Sequence, residues 1–213
     1  MTDRLNKIFA SIKPCKVFAD VGCDHGYIAK AMLSSGKCEK VIISDISAKC
    51  LKKAEELLEY EIANGRAVSV VSDGFDKIEF CDTALIAGMG GEEICFILKR
   101  ANRLPNSLVL QPMKNCDKVR ICAVNSGYKI LSDKIFKSAG KFYDLIVLTK
   151  GEDVLTEEEV EFGRDNVIEK GQDFSEMIKG KIEKLGFYLS NPDLSDTARS
   201  EMIKEIERLK RYV

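Results

Sequence analysis

The stretch ADVGCDHGYIAK, residues 19–30, concentrates side chains that can do chemistry. Asp20 lies near the end of an apolar run, and Gly22, Asp24, His25 and Gly26 follow in a loop before a helical pattern begins. Glycine-rich loops at such junctions commonly hold a phosphate on backbone N–H groups and the helix dipole. Two carboxylates in the loop repel an anion and attract a cation. Comparable groups recur downstream. Asp45 closes a second apolar run, Asp73-Gly74 a third, Gly88-Met89-Gly90-Gly91 a fourth and Gln111-Pro112 a fifth. One such acid is most simply a solvated loop residue, but acids at three successive run ends are not a packing pattern.

The runs themselves must position these groups. KVFADVG (16–22), KVIISDI (40–46), AVSVVSDG (67–74), TALIAGM (83–89) and SLVLQP (107–112) are short and rich in β-branched residues. Helical patterns lie between them near 26–35, 47–64, 91–102 and 115–126. The alternation predicts an α/β fold, a parallel sheet with helices on both faces. Ligands of such sheets bind beyond the carboxyl ends of the strands, where all five loops fall. KILSDKIFKS and KFYDLIVLTK, joined by Ala139-Gly140, predict an antiparallel pair at the sheet edge. Leu5, Ile8, Phe9 and Ile12 mark an N-terminal amphipathic helix started by Thr2 or Asp3.

Beyond Gly151 the composition turns charge-rich. Ile178, Ile182 and Leu185, then Met202, Ile206 and Leu209 after the breaker NPDLSD, predict an antiparallel helical hairpin. The expected division is residues 1–152 for the α/β domain and 153–213 for the hairpin. The hairpin reads either as a brace on the main domain or as an arm for a partner.

Composition narrows the classes. The 213 residues are 45% hydrophobic and 31% charged, with net charge −1, so no global basic field advertises nucleic acid and any such surface must be local. Eight cysteines form no C-x-x-C pair and only one histidine accompanies them, which favours reduced thiols over disulfides or zinc. No metal is expected. The N-terminus lacks the apolar core of a signal peptide and no run is long enough to span a bilayer, so a cytoplasmic location without membrane attachment is expected.

The acidic loop fits a pyrophosphate poorly and S-adenosyl-L-methionine well, because this cofactor carries a sulfonium and an ammonium and no phosphate. Asp20 and Asp24 are placed to pair with or screen those cations. Asp45, about 20 residues on, sits where an acid accepts ribose hydroxyls. Asp73 is placed to accept from the adenine amino group. The glycines of IAGMGG either make a tight turn or let a substrate base approach the methyl group. Gln111 either ends a strand or offers its amide to a base edge, with Pro112 fixing the loop.

ADVGCDHGY, Asp45, SDGF, IAGMGG, LVLQP and the closing EFG…KLGFYLSN…ERLKR together resemble the bacterial tRNA (adenine-22-N1)-methyltransferase family over nearly the whole chain. The resemblance implies a seven-stranded class I, Rossmann-like methyltransferase fold with an antiparallel edge strand and a C-terminal coiled-coil-like hairpin. It also implies methylation of N1 of adenine 22 in the tRNA D-arm. On this reading Asp24, Gln111 and Pro112 serve catalysis. Asp20, Gly22, Asp24, His25, Asp45, Asp73, Gly74, Gly88, Met89 and Gly90 hold the methyl donor. Arg4, Tyr27, Lys114 and Arg120 meet the tRNA, with Lys7 and Lys118 flanking them. The base must be unstacked to expose N1, and Met89 and Tyr27 are candidates to line its pocket. The chain departs from the family's pattern at Cys23, Gly26, Met113 and Arg164. The rival readings are a methyltransferase for another RNA or a small molecule, and a non-catalytic protein that holds the cofactor.

Overall fold

A computed structural model describes all 213 residues. Seven strands form one sheet in the order β3-β2-β1-β4-β5-β7-β6. Strands β1 (Val17–Val21), β2 (Lys40–Asp45), β3 (Ala67–Val71), β4 (Thr83–Met89) and β5 (Ser107–Pro112) pair in parallel. Strands β6 (Tyr128–Ser138) and β7 (Lys141–Lys150) form the expected antiparallel hairpin. Its two-residue turn places Ala139 and Gly140 at φ 48° and 76°, the left-handed pair that suits the twist of a hairpin. Because β7 pairs with β5, it runs against its neighbours, and β6 becomes the sheet edge.

Helices cover both faces. On one lie α1 (Asp3–Ser11), α2 (Tyr27–Ser34), α3 (Ala48–Leu57) and the short α4 (Glu59–Ala63), over a core that includes Ile8, Ile12, Phe18, Met32, Ile43 and Leu58. On the other, α5 (Gly91–Arg100) and α6 (Cys116–Asn125) pack over Ile86, Ile94, Leu110 and Val119. The single helix expected over 47–64 breaks at Leu58, whose φ of −107° leaves the helical region. The break keeps Leu58 in the core and lets the mostly buried Glu61 accept from Lys30 on α2 at 2.7 Å.

The C-terminal segment is more articulated than a hairpin. Two short helices, α7 (Glu157–Phe162) and α8 (Arg164–Glu169), precede the long pair α9 (Gln172–Leu189) and α10 (Asp196–Leu209). Gly163, at φ 87°, separates the short helices where a Cβ would fall 2.6 Å from Asp133 Oδ1, so no other residue fits. This segment covers the β6 edge with side-chain acceptors. Asp153 accepts from Ile130 N at 2.9 Å, Asp165 from Asp133 N at 3.1 Å, Asn166 from Ile135 N at 2.9 Å and Asp173 from Lys137 N at 2.9 Å. Strand N–H groups that would otherwise template another chain are thereby occupied. Phe162, Phe174, Ile178, Leu209 and Tyr212 close a third small core on Ile135 of β6.

Arg120 lies at the heart of this junction. It is fully buried, and donates from Nε to Asp133 Oδ2 at 2.7 Å, from Nη2 to Asp144, and from Nη1 to the carbonyls of Val160 and Glu161. The expectation that Arg120 meets RNA is therefore corrected: every part of its guanidinium is committed inside the protein. Arg164 ties Asp153 and Glu159 to the same segment at 2.9 Å each. All eight cysteines are unpaired thiols, and no helix is long and apolar enough to cross a membrane.

Candidate functional site

The carboxyl ends of β1, β2, β3 and β4 converge on two clefts that share Gly22, Asp45 and Met89 as a common wall. The first, of about 400 Å³, is lined by Asp45, Ile46, Ser72, Asp73, Gly74, Glu92, Glu93, Phe96 and Ile97 among others. The second, of about 480 Å³, takes in Arg4, Asp20, Asp24, His25, Tyr27, Gly88 and Met89.

The glycine loop folds as it does because each turn needs an unusual backbone. Gly22 sits at φ 79°, and a Cβ there would lie 1.9 Å from the Met89 methyl carbon. The backbone N–H groups of Gly22 and Cys23 both donate to Ser44 O, at 2.7 and 2.9 Å, which pins the loop to the end of β2. Gly26, also left-handed, precedes α2.

Electrostatics differ sharply among the acids. Asp20 is almost fully buried, and desolvation pushes its carboxyl up to about 6 despite hydrogen bonds from Cys23 and the Ala29 backbone. The neighbouring Cys23 thiol is driven far above its ordinary value, first by burial and then by Asp20, so it stays protonated and inert. Asp24 is exposed and holds two cationic or potentially cationic partners, His25 Nδ1 at 2.6 Å and Lys53 Nζ at 3.1 Å. The His25 and Tyr27 rings stack with centroids 5.4 Å apart and planes 10° from parallel. Asp45 accepts from Ser47 N at 2.8 Å through one carboxylate oxygen, an arrangement that orients the other. Asp73 accepts from Arg100 Nη1 at 2.6 Å, and Arg100 also bonds Asp76 and lies over Phe96, 5.0 Å from its ring.

Of the residues singled out from the sequence, Asp20, Gly22, Asp24, His25, Tyr27, Asp45, Asp73, Gly74, Gly88 and Met89 line the two clefts, and Gly90 borders them at the start of α5. Arg4 also lines the second cleft, so it is turned inward and not out along the surface. Gln111 is not presented to a base edge. It is fully buried, accepting from Arg4 Nη1 through Oε1 and donating to Pro112 O at 2.9 Å through Nε2. Pro112 is buried beside it, and the exposed Met113 places its sulfur 3.6 Å from Gln111 Nε2. Lys118 pairs with Glu92 at 2.6 Å, and Lys7 with Asp3 at 3.5 Å, whereas Lys114 stands exposed beside Gly90 with no ion pair. Motif reasoning missed Glu92, Glu93, Phe96 and Ile97 of α5, and also Arg100 and Lys53. None of these lies in a strand-end loop. The one available signal was Phe96, an aromatic outside the buried stripe of Ile94, Cys95 and Leu98.

These residues fit S-adenosylmethionine. Acids, a bare Gly22 and an adenosine-sized apolar cleft are present, and no cluster of lysine or arginine lines the first cleft to hold a pyrophosphate.

The comparisons agree with this geometry. The sequence model described as a methyltransferase domain matches residues 1–146. A Mycoplasma pneumoniae protein that carries a provisional tRNA methyltransferase name is 31% identical over 155 residues, covering 70% of this chain and 71% of that one. The Bacillus subtilis tRNA (adenine(22)-N(1))-methyltransferase is 27% identical over 157 residues, covering 71% and 66%. Among solved structures, a Streptococcus pneumoniae protein provisionally named a tRNA (m1A22) methyltransferase superposes with TM-score 0.89 at 26% identity over 100% of this chain and 99% of that one. The same protein has been solved with S-adenosyl-L-methionine and superposes with TM-score 0.86 at 25% identity. With the family model spanning both clefts and every strand up to most of β7, this chain belongs to the methyltransferase domain family.

Proposed function

We propose that this protein transfers a methyl group from S-adenosyl-L-methionine to N1 of adenine 22 in the D-arm of tRNA, and works in the cytoplasm where that tRNA is found. The observation that carries the reading is the full-length superposition on the Streptococcus pneumoniae protein, hairpin included, combined with acids at the ends of β1, β2 and β3.

When bound, the donor supplies an electrophilic methyl, whose bonding pair stays on sulfur as adenine N1 attacks. The first cleft takes adenosine: Asp45 accepts from the ribose hydroxyls, Asp73 from the adenine amino group, and Phe96 and Ile97 cover the ring. The Arg100 pair aims the Asp73 carboxylate. At the mouth of the second cleft, Tyr27 and His25 offer a stacking surface to the unstacked substrate base. N1 carries an in-plane lone pair, so alignment at roughly 3–3.5 Å is the main requirement. Asp24, fixed by His25 and Lys53, stabilises the cationic product or accepts an exocyclic amino proton. Lys114 is free to meet phosphate.

The deciding experiment supplies tritium-methyl donor and unmodified tRNA, and locates the product by the reverse-transcription stop that N1-methyladenine causes. The expected stop is at position 22, lost when that adenine is replaced by guanine. Transfer elsewhere, or none, defeats the proposal.

Asp24→Asn keeps the shape of the loop and removes its charge. Turnover on tRNA is expected to fall by more than affinity for S-adenosylhomocysteine does. Equal losses in single-turnover and calorimetric measurements would confine Asp24 to donor binding.

Asp20 gives a pH signature. Its folded value, raised to about 6 from 3.8, means that the stability it contributes is full below 3.8 and lost as pH rises through 6. The ionised form, costly in the free protein, is the one that faces the donor's ammonium. S-adenosylhomocysteine affinity is therefore expected to rise about tenfold from pH 5 to pH 7. Asp20→Asn should flatten that rise and raise the melting temperature at pH 7; a variant with the wild-type pH profile would remove Asp20 from the site.

A further inference from the structure

In the parallel part of the sheet every connection carries a helix except one. Residues 72–82, between β3 and β4, contain turns and no helix. The face of β1, β2 and β3 on the α5 side is therefore left without a covering helix. Val17, Ile42, Val68 and Val70 of these strands line a groove there of about 440 Å³, and Ile78 and Phe80 of the connection complete its wall. Strands of a parallel sheet are normally buried on both faces. Here Val68 is 37% exposed and Phe80 46%.

The rim of the groove is cationic. Lys40 and Lys77 line it against a single acid, Glu79; all three are exposed and none forms an ion pair. Arg103, also without an ion pair, lies over the Phe80 ring, 5.3 Å from its centroid. The groove shares no residue with the two clefts at the carboxyl ends of the strands. Such a rim disfavours a second copy of the same face, because like charges would meet. Aliphatic walls, and a ring already covered by a guanidinium, offer no stacking platform to a nucleic-acid base. The volume is that of a small-ligand pocket. An apolar floor with a cationic mouth suits an apolar chain that ends in an anion.

We propose that this groove binds a medium-chain aliphatic carboxylate, with its chain along Ile42, Val68 and Val70 and its anionic end at Lys40 and Lys77. The chain displaces water from β-branched side chains that no helix covers. The two ammonium groups, unpaired within the protein, take the carboxylate at the rim, where both keep much of their hydration. The site is separate from methyl transfer and stands whichever RNA is the substrate.

Calorimetry on the full chain tests it with decanoate, octanoate, decanol and decylammonium, each below its micelle concentration. Wild-type protein is expected to bind decanoate at one saturable site and to melt higher in its presence. Octanoate, two methylenes shorter, should bind about 10–15-fold more weakly. Decanol should bind more weakly than decanoate, and decylammonium not at all. The double variant Lys40→Glu, Lys77→Glu should bind decanoate no better than decanol, with melting and S-adenosylhomocysteine affinity unchanged. Val68→Asp, at a position already exposed, should lose decanoate and decanol alike. No binding of decanoate, equal binding of the acid and the ammonium, or an affinity untouched by both variants overturns the assignment. Displacement of decanoate by S-adenosylhomocysteine would place it in the donor clefts and overturn it too.

Discussion

Replacing Asp45 by alanine is expected to weaken S-adenosylhomocysteine binding by about 10²–10⁴-fold while the protein stays folded. A carboxylate accepting two ribose hydroxyls makes two charge-assisted hydrogen bonds, each worth about 1.5–3 kcal/mol. The geometry supports the upper part of that range, because Asp45 belongs to the wall between the two clefts and Ser47 N–H already fixes one of its oxygens at 2.8 Å. A preoriented acceptor spends little entropy on binding. Asp45→Asn retains an oxygen for Ser47 and loses the charge, so it should fall between the wild type and the alanine variant. A folded Asp45→Ala protein with unchanged calorimetric affinity sinks the ribose assignment.

Truncation after Lys150 is expected to destroy the soluble protein, not merely its affinity for RNA. It strips four acceptors from the N–H groups of β6, removes the Val160 and Glu161 carbonyls from buried Arg120, and uncovers Ile135. An edge strand left bare in this way pairs with other chains. Aggregation, or a melting temperature far below that of the whole protein, is the expected result by light scattering and calorimetry. A monodisperse truncated chain with the original melting temperature and donor affinity would overturn it. The arm function needs a gentler test. Arg208 pairs with Glu161 and Glu205, and Arg211 with Glu158, whereas Arg199 caps α9 through Leu189 O. Lys179, Lys184, Lys204 and Lys210 are exposed and have no ion pair, and Phe187 and Tyr188 stand exposed near the tip. Changing those four lysines to alanine should leave melting and donor binding intact. Each that contacts a phosphate should take about 0.7–0.9 from the salt slope of tRNA binding. An unchanged slope would leave the hairpin with its bracing role alone.

By itself the sequence determined the architecture and the identity of the strand-end loops. Parallel strands buried on both faces read as β-branched apolar runs, and the loops at their carboxyl ends lie together in any right-handed α/β sheet. The acid series Asp20, Asp24, Asp45 and Asp73 was legible for that reason: strand order alone brings it to one edge. The hairpin turn at Ala139-Gly140 and the apolar seam of α9 and α10 were legible from local pattern. Charges were not, because a sequence gives a cation's type but not its partner. Arg120 and Lys114, six residues apart, read alike as surface cations. The fold buries one against Asp133 and Asp144 and leaves the other in solvent. The Asp133 and Asp144 partners come from β6 and β7, 13 and 24 residues further on, and only the pairing register of those strands sets them side by side. Arg4 likewise read as a cation for tRNA phosphate, and the packing of α1 on the sheet turns it onto Gln111 and Gly88. Residues of the α5 wall, Phe96 and Ile97, gained their place from the angle of a helix over a cleft, which no local spacing encodes. Tertiary packing decided which charges remain free to act, because burial and pairing depend on contacts between separate elements, from 13 residues apart for Arg120 and Asp133 to 107 for Arg4 and Gln111.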